Sequence, residues 1–207
     1  DLKLELEVSI GIARAPQDAA DAWSLMRAAD VALFSARRAG QAVCHYEPGL
    51  DRDSPRRLTL LTDLGGAIRN HELVLHYQPK LRLPRRTAAG FEVLVRWAHP
   101  RLGLVGPSEF IPLAELGNLI GPLTFAVLER ALAQWREWRD AGFRTQLAVN
   151  LSARSLLDES FPERVRALLE KFGMGPAALE LELTESALME DPERARGVLE
   201  RLSTLGV

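Results

Sequence analysis

The 207-residue sequence predicts an α/β fold, with a parallel sheet covered by helices. Three observations carry this. From Ala89 onward the pattern alternates between strand and helix. Leu147-Ala-Val-Asn-Leu and Leu179-Glu-Leu-Glu-Leu are short apolar or alternating segments, each followed by a helical stripe. Asn150 and Glu182, at the carboxyl ends of those segments, stand 32 residues apart, the length of one βα unit in a barrel of about 250 residues and eight units. Open sheets and barrels both satisfy this pattern.

The elements follow in order. Leu4 to Ile12 places apolar residues on every second position, the signature of a strand with one buried face. From Asp21 the period changes: Leu25, Ala28, Ala29, Ala32, Leu33 and Ala36 recur at three and four, with Asp21 as cap and Gly40 as left-handed stop. A short strand, Gln41 to Tyr46, precedes Glu47-Pro-Gly-Leu-Asp-Arg-Asp-Ser-Pro55, whose composition suits a domain boundary. Beyond it the sequence predicts a helix (58–70), strands (73–81 and 89–97), a short helix (107–116) and a long helix (122–141). A strand (146–151), a helix (161–172), a strand (179–183) and a helix (192–205) complete the order. Phe125, Leu128, Leu132 and Trp135 form the long helix's stripe, ended by Gly142. Ser160 and Glu163 read as a capping box ahead of Val165, Leu168, Leu169 and Phe172.

Composition excludes several function classes. Twenty-six Lys+Arg against 28 Asp+Glu give a net charge of −2 and a pI near 6.2, a poor match for phosphate backbones, so no general nucleic-acid binding is expected. No apolar run is long enough to span a bilayer, and the segment is expected to be cytoplasmic, without membrane contact. A single cysteine, Cys44, rules out an internal disulfide and a thiolate zinc cage, and any metal would sit among oxygens.

Three predicted strands carry such oxygens at or near their carboxyl ends: Glu92, Asn150 and Glu182. Active sites of parallel α/β folds gather there, and hard oxygen donors suit Mg²⁺ or Mn²⁺. A glutamate in a strand is most often on a solvated face. Glu180 and Glu182, however, share one face, and burying both without a metal or basic partner would cost several kcal/mol each.

Leu75-His-Tyr-Gln-Pro79, Gly90-Phe-Glu-Val-Leu-Val-Arg-Trp97, Pro107-Ser-Glu-Phe-Ile-Pro-Leu-Ala-Glu115, Val149-Asn-Leu-Ser152 and Leu179-Glu-Leu-Glu-Leu-Thr-Glu-Ser186, in that order, resemble the EAL-type cyclic di-GMP phosphodiesterase domain. Upstream, Val8-Ser-Ile-Gly-Ile12 and Ala29-Asp-Val-Ala-Leu-Phe-Ser-Ala-Arg-Arg-Ala-Gly40 resemble the final strand and helix of a GGDEF-type diguanylate cyclase domain. The resemblance implies an incomplete (β/α)₈ TIM-type barrel with an irregular first strand over 58–207, a linker at 49–57, and the last strand-helix-strand piece of an α/β GGDEF domain over 1–48. It implies hydrolysis of one phosphodiester bond of cyclic di-GMP to the linear dinucleotide, with two Mg²⁺ or Mn²⁺ ions about 3.5 to 4 Å apart.

Carried over by position, the resemblance makes Glu92, Asn150 and Glu182 metal ligands, with Glu92, Glu182 and Glu185 serving catalysis. Glu185 would do so by steadying a neighbouring loop. Gln78, Leu94 and Arg96 would contact the dinucleotide, Arg96 as a charge-assisted phosphate donor. The family triplet reads Glu92-Val93-Leu94 here, valine replacing the usual alanine. Val93 faces away from the Glu92 side, so the change alters packing more than ligation. The family's Asp-Asp pair, a lysine and a late glutamate would lie past Val207, so the chain alone is expected to be inactive. An open strand edge would favour a homodimer. The competing expectation is a catalytically silent domain that binds cyclic di-GMP or a protein partner. Retention of Glu92, Asn150 and Glu182 together speaks against it.

Overall fold

The structure, a computed structural model, describes residues 8–50, 54–84, 87–183 and 192–207. The chain divides into two compact units, Asp1–Thr59 and Leu60–Val207. In the first, β1 (Ile10–Ile12) pairs in parallel with β2 (Val43–His45), and α1 (Ala22–Ala39) joins them. Asp21 caps α1 by accepting from Ser24 N at 2.9 Å, and Gly40 closes it at φ 63°, as the sequence predicts. Ala28, Ala32 and Ala36 are the buried stripe of α1. These small residues let the helix approach β1 so closely that a Cβ on Gly11 would lie 2.2 Å from Ala29 O.

α2 (Ser54–Arg69) leads into the second unit, where β3 (Leu73–Arg82), β4 (Thr87–His99), β6 (Leu147–Leu151) and β7 (Leu179–Leu183) lie side by side in that order. The short β5 (Gly103–Val105) pairs with the end of β4. The β4–β6 and β6–β7 pairings are parallel. β3–β4 and β4–β5 are antiparallel, so the sheet is mixed, and among the described residues it does not close into a barrel. The parallel pairing read from the strand-helix alternation therefore holds for β4, β6 and β7, whereas β3 and β5 add antiparallel neighbours to it, in keeping with an irregular first strand. β5, absent from the sequence reading, exists because His99 Nδ1 accepts from Arg101 N and Leu102 N at 3.1 and 3.3 Å. That bends the chain at Gly103, φ 73°, back onto β4.

Side-chain alternation splits the sheet's two faces. Val93, Leu147, Val149, Leu151 and Leu179 are buried beneath α4 (Ile120–Asp140), α5 (Phe161–Phe172) and α6 (Pro192–Leu205). Leu128, Leu132 and Trp135 of α4 and Val165, Leu169 and Phe172 of α5 fill this core, while Phe125 is partly buried. A second core gathers Leu60, Leu64, Leu73, Trp97 and Val105 against Phe110 and Leu113 of α3 (Pro107–Leu116). The opposite face carries His76, Gln78, Glu92, Leu94, Arg96, Asn150, Glu180 and Glu182, the alternate residues of the same strands. Among the described residues no helix is long and apolar enough to cross a membrane.

The capping box expected at Ser160 does not form. Ser160 has φ −83° and ψ −5° and caps nothing with its side chain. Its hydroxyl and its N–H both donate to Asp158 Oδ1, at 2.6 and 2.9 Å, and Glu163 pairs with Arg201 instead of reaching back.

Candidate functional site

The polar face is built in rows across the strands. Gln78 of β3 lies opposite Glu92 of β4, which pairs in register with Ala148 of β6 and, through it, with Glu180 of β7. One pleat further along, Asn150 of β6 lies opposite Glu182 of β7. Because every strand has period two, the apolar partners of these residues are forced into the core and the polar set onto this face.

Contacts tie the rows together. Asn150 Nδ2 donates to Glu92 Oε1 at 2.8 Å, joining β4 and β6. Lys80 Nζ donates to Glu182 Oε1 at 2.8 Å and to Glu180 Oε1 at 2.9 Å. These bonds hold the Lys80 ammonium above its ordinary pKa, the bond to Glu182 contributing most and that to Glu180 next. β3 and β7 are three strand spacings apart, roughly 14 Å across a flat sheet, more than an extended lysine and an extended glutamate reach together. Their contact therefore requires a curled sheet with the polar face concave.

Of the residues singled out in the sequence, Glu92 and Asn150 touch, and Glu182 stands beside Asn150 on the next strand. Gln78 is exposed on the Glu92 row. Leu94 and Arg96 are half-buried on the same face, further along β4. The Arg96 guanidinium donates to Val95 O at 2.8 Å, so it contacts neither carboxylate in this arrangement. Glu185 lies outside the described residues.

Sequence reasoning missed Lys80 as the basic partner of Glu180 and Glu182. Its signal was parity: it sits two residues after Gln78 and so faces the same side. It also assigned no role to Glu115 and Ser152, although both lie in quoted motifs. Ser152 Oγ donates to Glu115 Oε1 at 2.7 Å, and Arg154 Nη1 donates to Glu115 O at 2.6 Å. The chain leaving β6 immediately after Asn150 is thereby tethered to the end of α3. Thr124 and Ser155 add a buried hydroxyl contact at 3.3 Å.

The donor set fits a hard divalent cation. Among the described residues no three His, Cys, Asp or Glu side chains are grouped to hold a metal, so an ion here would rest on two carboxylates and an amide oxygen. Which end of the Asn150 amide faces Glu92 is set by what lies between them. Turned over, the group presents Oδ1 to the same point. The Lys80 ammonium already occupies a cationic position against Glu182, which shows that this carboxylate is placed to receive positive charge.

Residues 62–207 match the family model described as EAL domain. The chain is 39% identical over 207 residues to "Bifunctional diguanylate cyclase/cyclic di-GMP phosphodiesterase MucR" of Pseudomonas aeruginosa, a match covering 99% of this chain and 30% of that protein. It is 37% identical over 199 residues to "Cyclic di-GMP phosphodiesterase PdeR" of Escherichia coli, covering 96% of this chain and 30% of that one. The solved structure "PaMucR Phosphodiesterase, c-di-GMP complex" superposes with a TM-score of 0.67 at 42% identity, over 72% of this chain and 61% of the other. The chain thus spans about a third of the length of these curated relatives. A family model matching most of the chain, relatives at this identity and the shared α/β architecture together establish that the protein belongs to the EAL domain family.

Proposed function

We propose that residues 58–207 form the part of a cyclic di-GMP phosphodiesterase that carries its first three metal ligands, and that residues 1–48 are the end of a GGDEF domain joined through 49–57. Support for the second assignment is the match of 99% of the chain, beyond residues 62–207, to a relative named as both cyclase and phosphodiesterase. The observation that carries the first is the meeting of Glu92 with Asn150 at 2.8 Å, beside a Glu182 that already binds a cation in the form of Lys80.

In this reading Glu92, Asn150 and Glu182 hold Mg²⁺ or Mn²⁺, two ions serving the complete domain. The metal supplies Lewis-acid polarisation of the phosphoryl oxygens and of the attacking water. Glu92 and Glu182 provide the anionic charge that fixes it, and Asn150 adds a neutral donor that also aligns Glu92. Gln78 and Leu94 lie against the dinucleotide. Arg96, released from Val95 O, donates to a phosphate oxygen with its guanidinium. Glu185 steadies a neighbouring loop. Water adds to phosphorus, and one ribose oxygen leaves with a proton, giving the linear dinucleotide.

The test is metal-dependent turnover of cyclic di-GMP by the protein containing this chain, compared with its Glu92→Ala variant. The proposal expects loss of about 10²-fold or more in kcat/KM for Glu92→Ala, since one charged ligand of a catalytic metal is removed. Turnover unaffected by the substitution ends the assignment. Cyclic di-GMP binding without turnover favours the silent binding domain.

A further inference from the structure

We infer that Glu180 is a parking site for the Lys80 ammonium, which releases Glu182 to a divalent cation while keeping its own charge compensated. This rests on the metal-site reading above. A bound cation and the ammonium compete for the same carboxylate, because Lys80 donates to Glu182 Oε1 at 2.8 Å. The ammonium has a second anchor, Glu180 Oε1, at 2.9 Å. The two carboxylates differ in surroundings. Across β6, Glu182 faces Asn150, which can contribute a donor, whereas Glu180 faces Ala148, which cannot. Glu180 is also the more solvated, its side chain 58% exposed against 33% for Glu182.

A lysine ammonium carries three donors on a flexible stem and can give up one partner while keeping the other. On the strands between, Lys80 pairs in register with Gly90, and the Glu180 row crosses β6 at Ala148 and β4 at Glu92, whose carboxylate is bound by Asn150. When a cation takes Glu182, Lys80 withdraws by one hydrogen bond and stays on Glu180. Without Glu180 the ammonium is stranded on Glu182, and the cation must displace it entirely.

The experiment is Mn²⁺ titration by calorimetry of the full 207-residue chain and of Glu180→Gln, Lys80→Met and the double variant. Circular dichroism checks folding, and Lys80→Gln replaces Lys80→Met should the latter not fold. Removing a negative charge weakens cation binding somewhat in any background. The parking role adds a coupling: Glu180→Gln weakens Mn²⁺ binding roughly threefold or more beyond its effect in the Lys80→Met background. Lys80→Met alone binds Mn²⁺ more tightly than the parent. Equal weakening in both backgrounds overturns the inference while leaving the metal site standing. No Mn²⁺ uptake by any of the four proteins up to millimolar concentration overturns the metal site itself.

Discussion

Gly90→Ala probes the junction on which the site's geometry depends. Gly90 is buried where the parallel β4–β6 pairing begins, and the next residue's N–H donates to Gln146 O at 2.9 Å. A Cβ at Gly90 would lie 2.6 Å from that same carbonyl oxygen and 3.1 Å from the carbonyl carbon. Ordinary contact begins near 3.4 Å, so the strands must part by about 0.8 Å. The obstacle is sheet backbone, which cannot swing aside like a side chain. Overpacking of this kind costs about 1–3 kcal/mol. For a unit of this size that lowers Tm by about 3–10 °C. The same displacement pulls Glu92, two residues on, away from Asn150, and Mn²⁺ affinity falls with it.

Thermal unfolding followed by circular dichroism measures the first effect, and Mn²⁺ titration the second. Gly197→Ala is the matched control: it lies in α6 with nothing within 4 Å of an added Cβ, and alanine there is expected to stabilise by about 0.5–1 kcal/mol. A Gly90→Ala protein as stable as its parent would refute the reasoning, since the close approach of β4 to β6 would then be dispensable.

Ser152→Ala removes the hydroxyl bound to Glu115. Unfolding in urea is expected to show a loss of about 1 kcal/mol, and Mn²⁺ binding to weaken because the residue two before it, Asn150, loses its anchor. Burial, with Trp138 packed edge-on at 4.8 Å, pushes the Tyr77 phenol up from 10.0 to about 12. The folded state therefore keeps its proton longer than the unfolded state. The stability this gives is intact below pH 10.0 and lost as pH rises to about 12, a loss that Tyr77→Phe removes from the urea midpoint in that window. Asp158 is held below the ordinary carboxylate value, first by the Ser160 hydroxyl, so its contribution is present above pH 3.8 and lost as pH falls below it. Asp158→Asn flattens the acid limb of the stability profile by less than about 1 kcal/mol, since the carboxylate is partly exposed.

Helices with strong local punctuation were legible from the sequence. The Asp21 cap and Gly40 stop of α1 and the Gly142 stop of α4 act within a few residues and need no tertiary partner. The Glu92, Asn150 and Glu182 positions were legible as well, because period two puts strand-end oxygens on one face once neighbouring strands run parallel. The parallel course of β4, β6 and β7 was legible too, but the antiparallel pairings of β3 and β5 were not. The antiparallel pairing of β3 with β4 follows from how few residues of sequence separate them, and β5 from a histidine accepting two backbone N–H groups. Periodicity encodes neither feature. The Ser160 cap failed for a similar reason: Ser160 takes helical dihedrals rather than the extended ones of a cap, and its hydroxyl donates to Asp158, two residues upstream, while accepting from no helix N–H. Lys80 was half legible. Its parity put it on the right face, but its reach to β7 depends on the curl of the sheet.

The central claim is that Glu92, Asn150 and Glu182 converge on a divalent cation. Anomalous scattering from crystals of the protein soaked in Mn²⁺ tests it most directly. The expected result is a manganese peak within coordination distance of an oxygen from each of the three side chains, with Lys80 on Glu180 alone. A peak elsewhere, or Lys80 still seated on Glu182 with no metal beside Asn150, would contradict it.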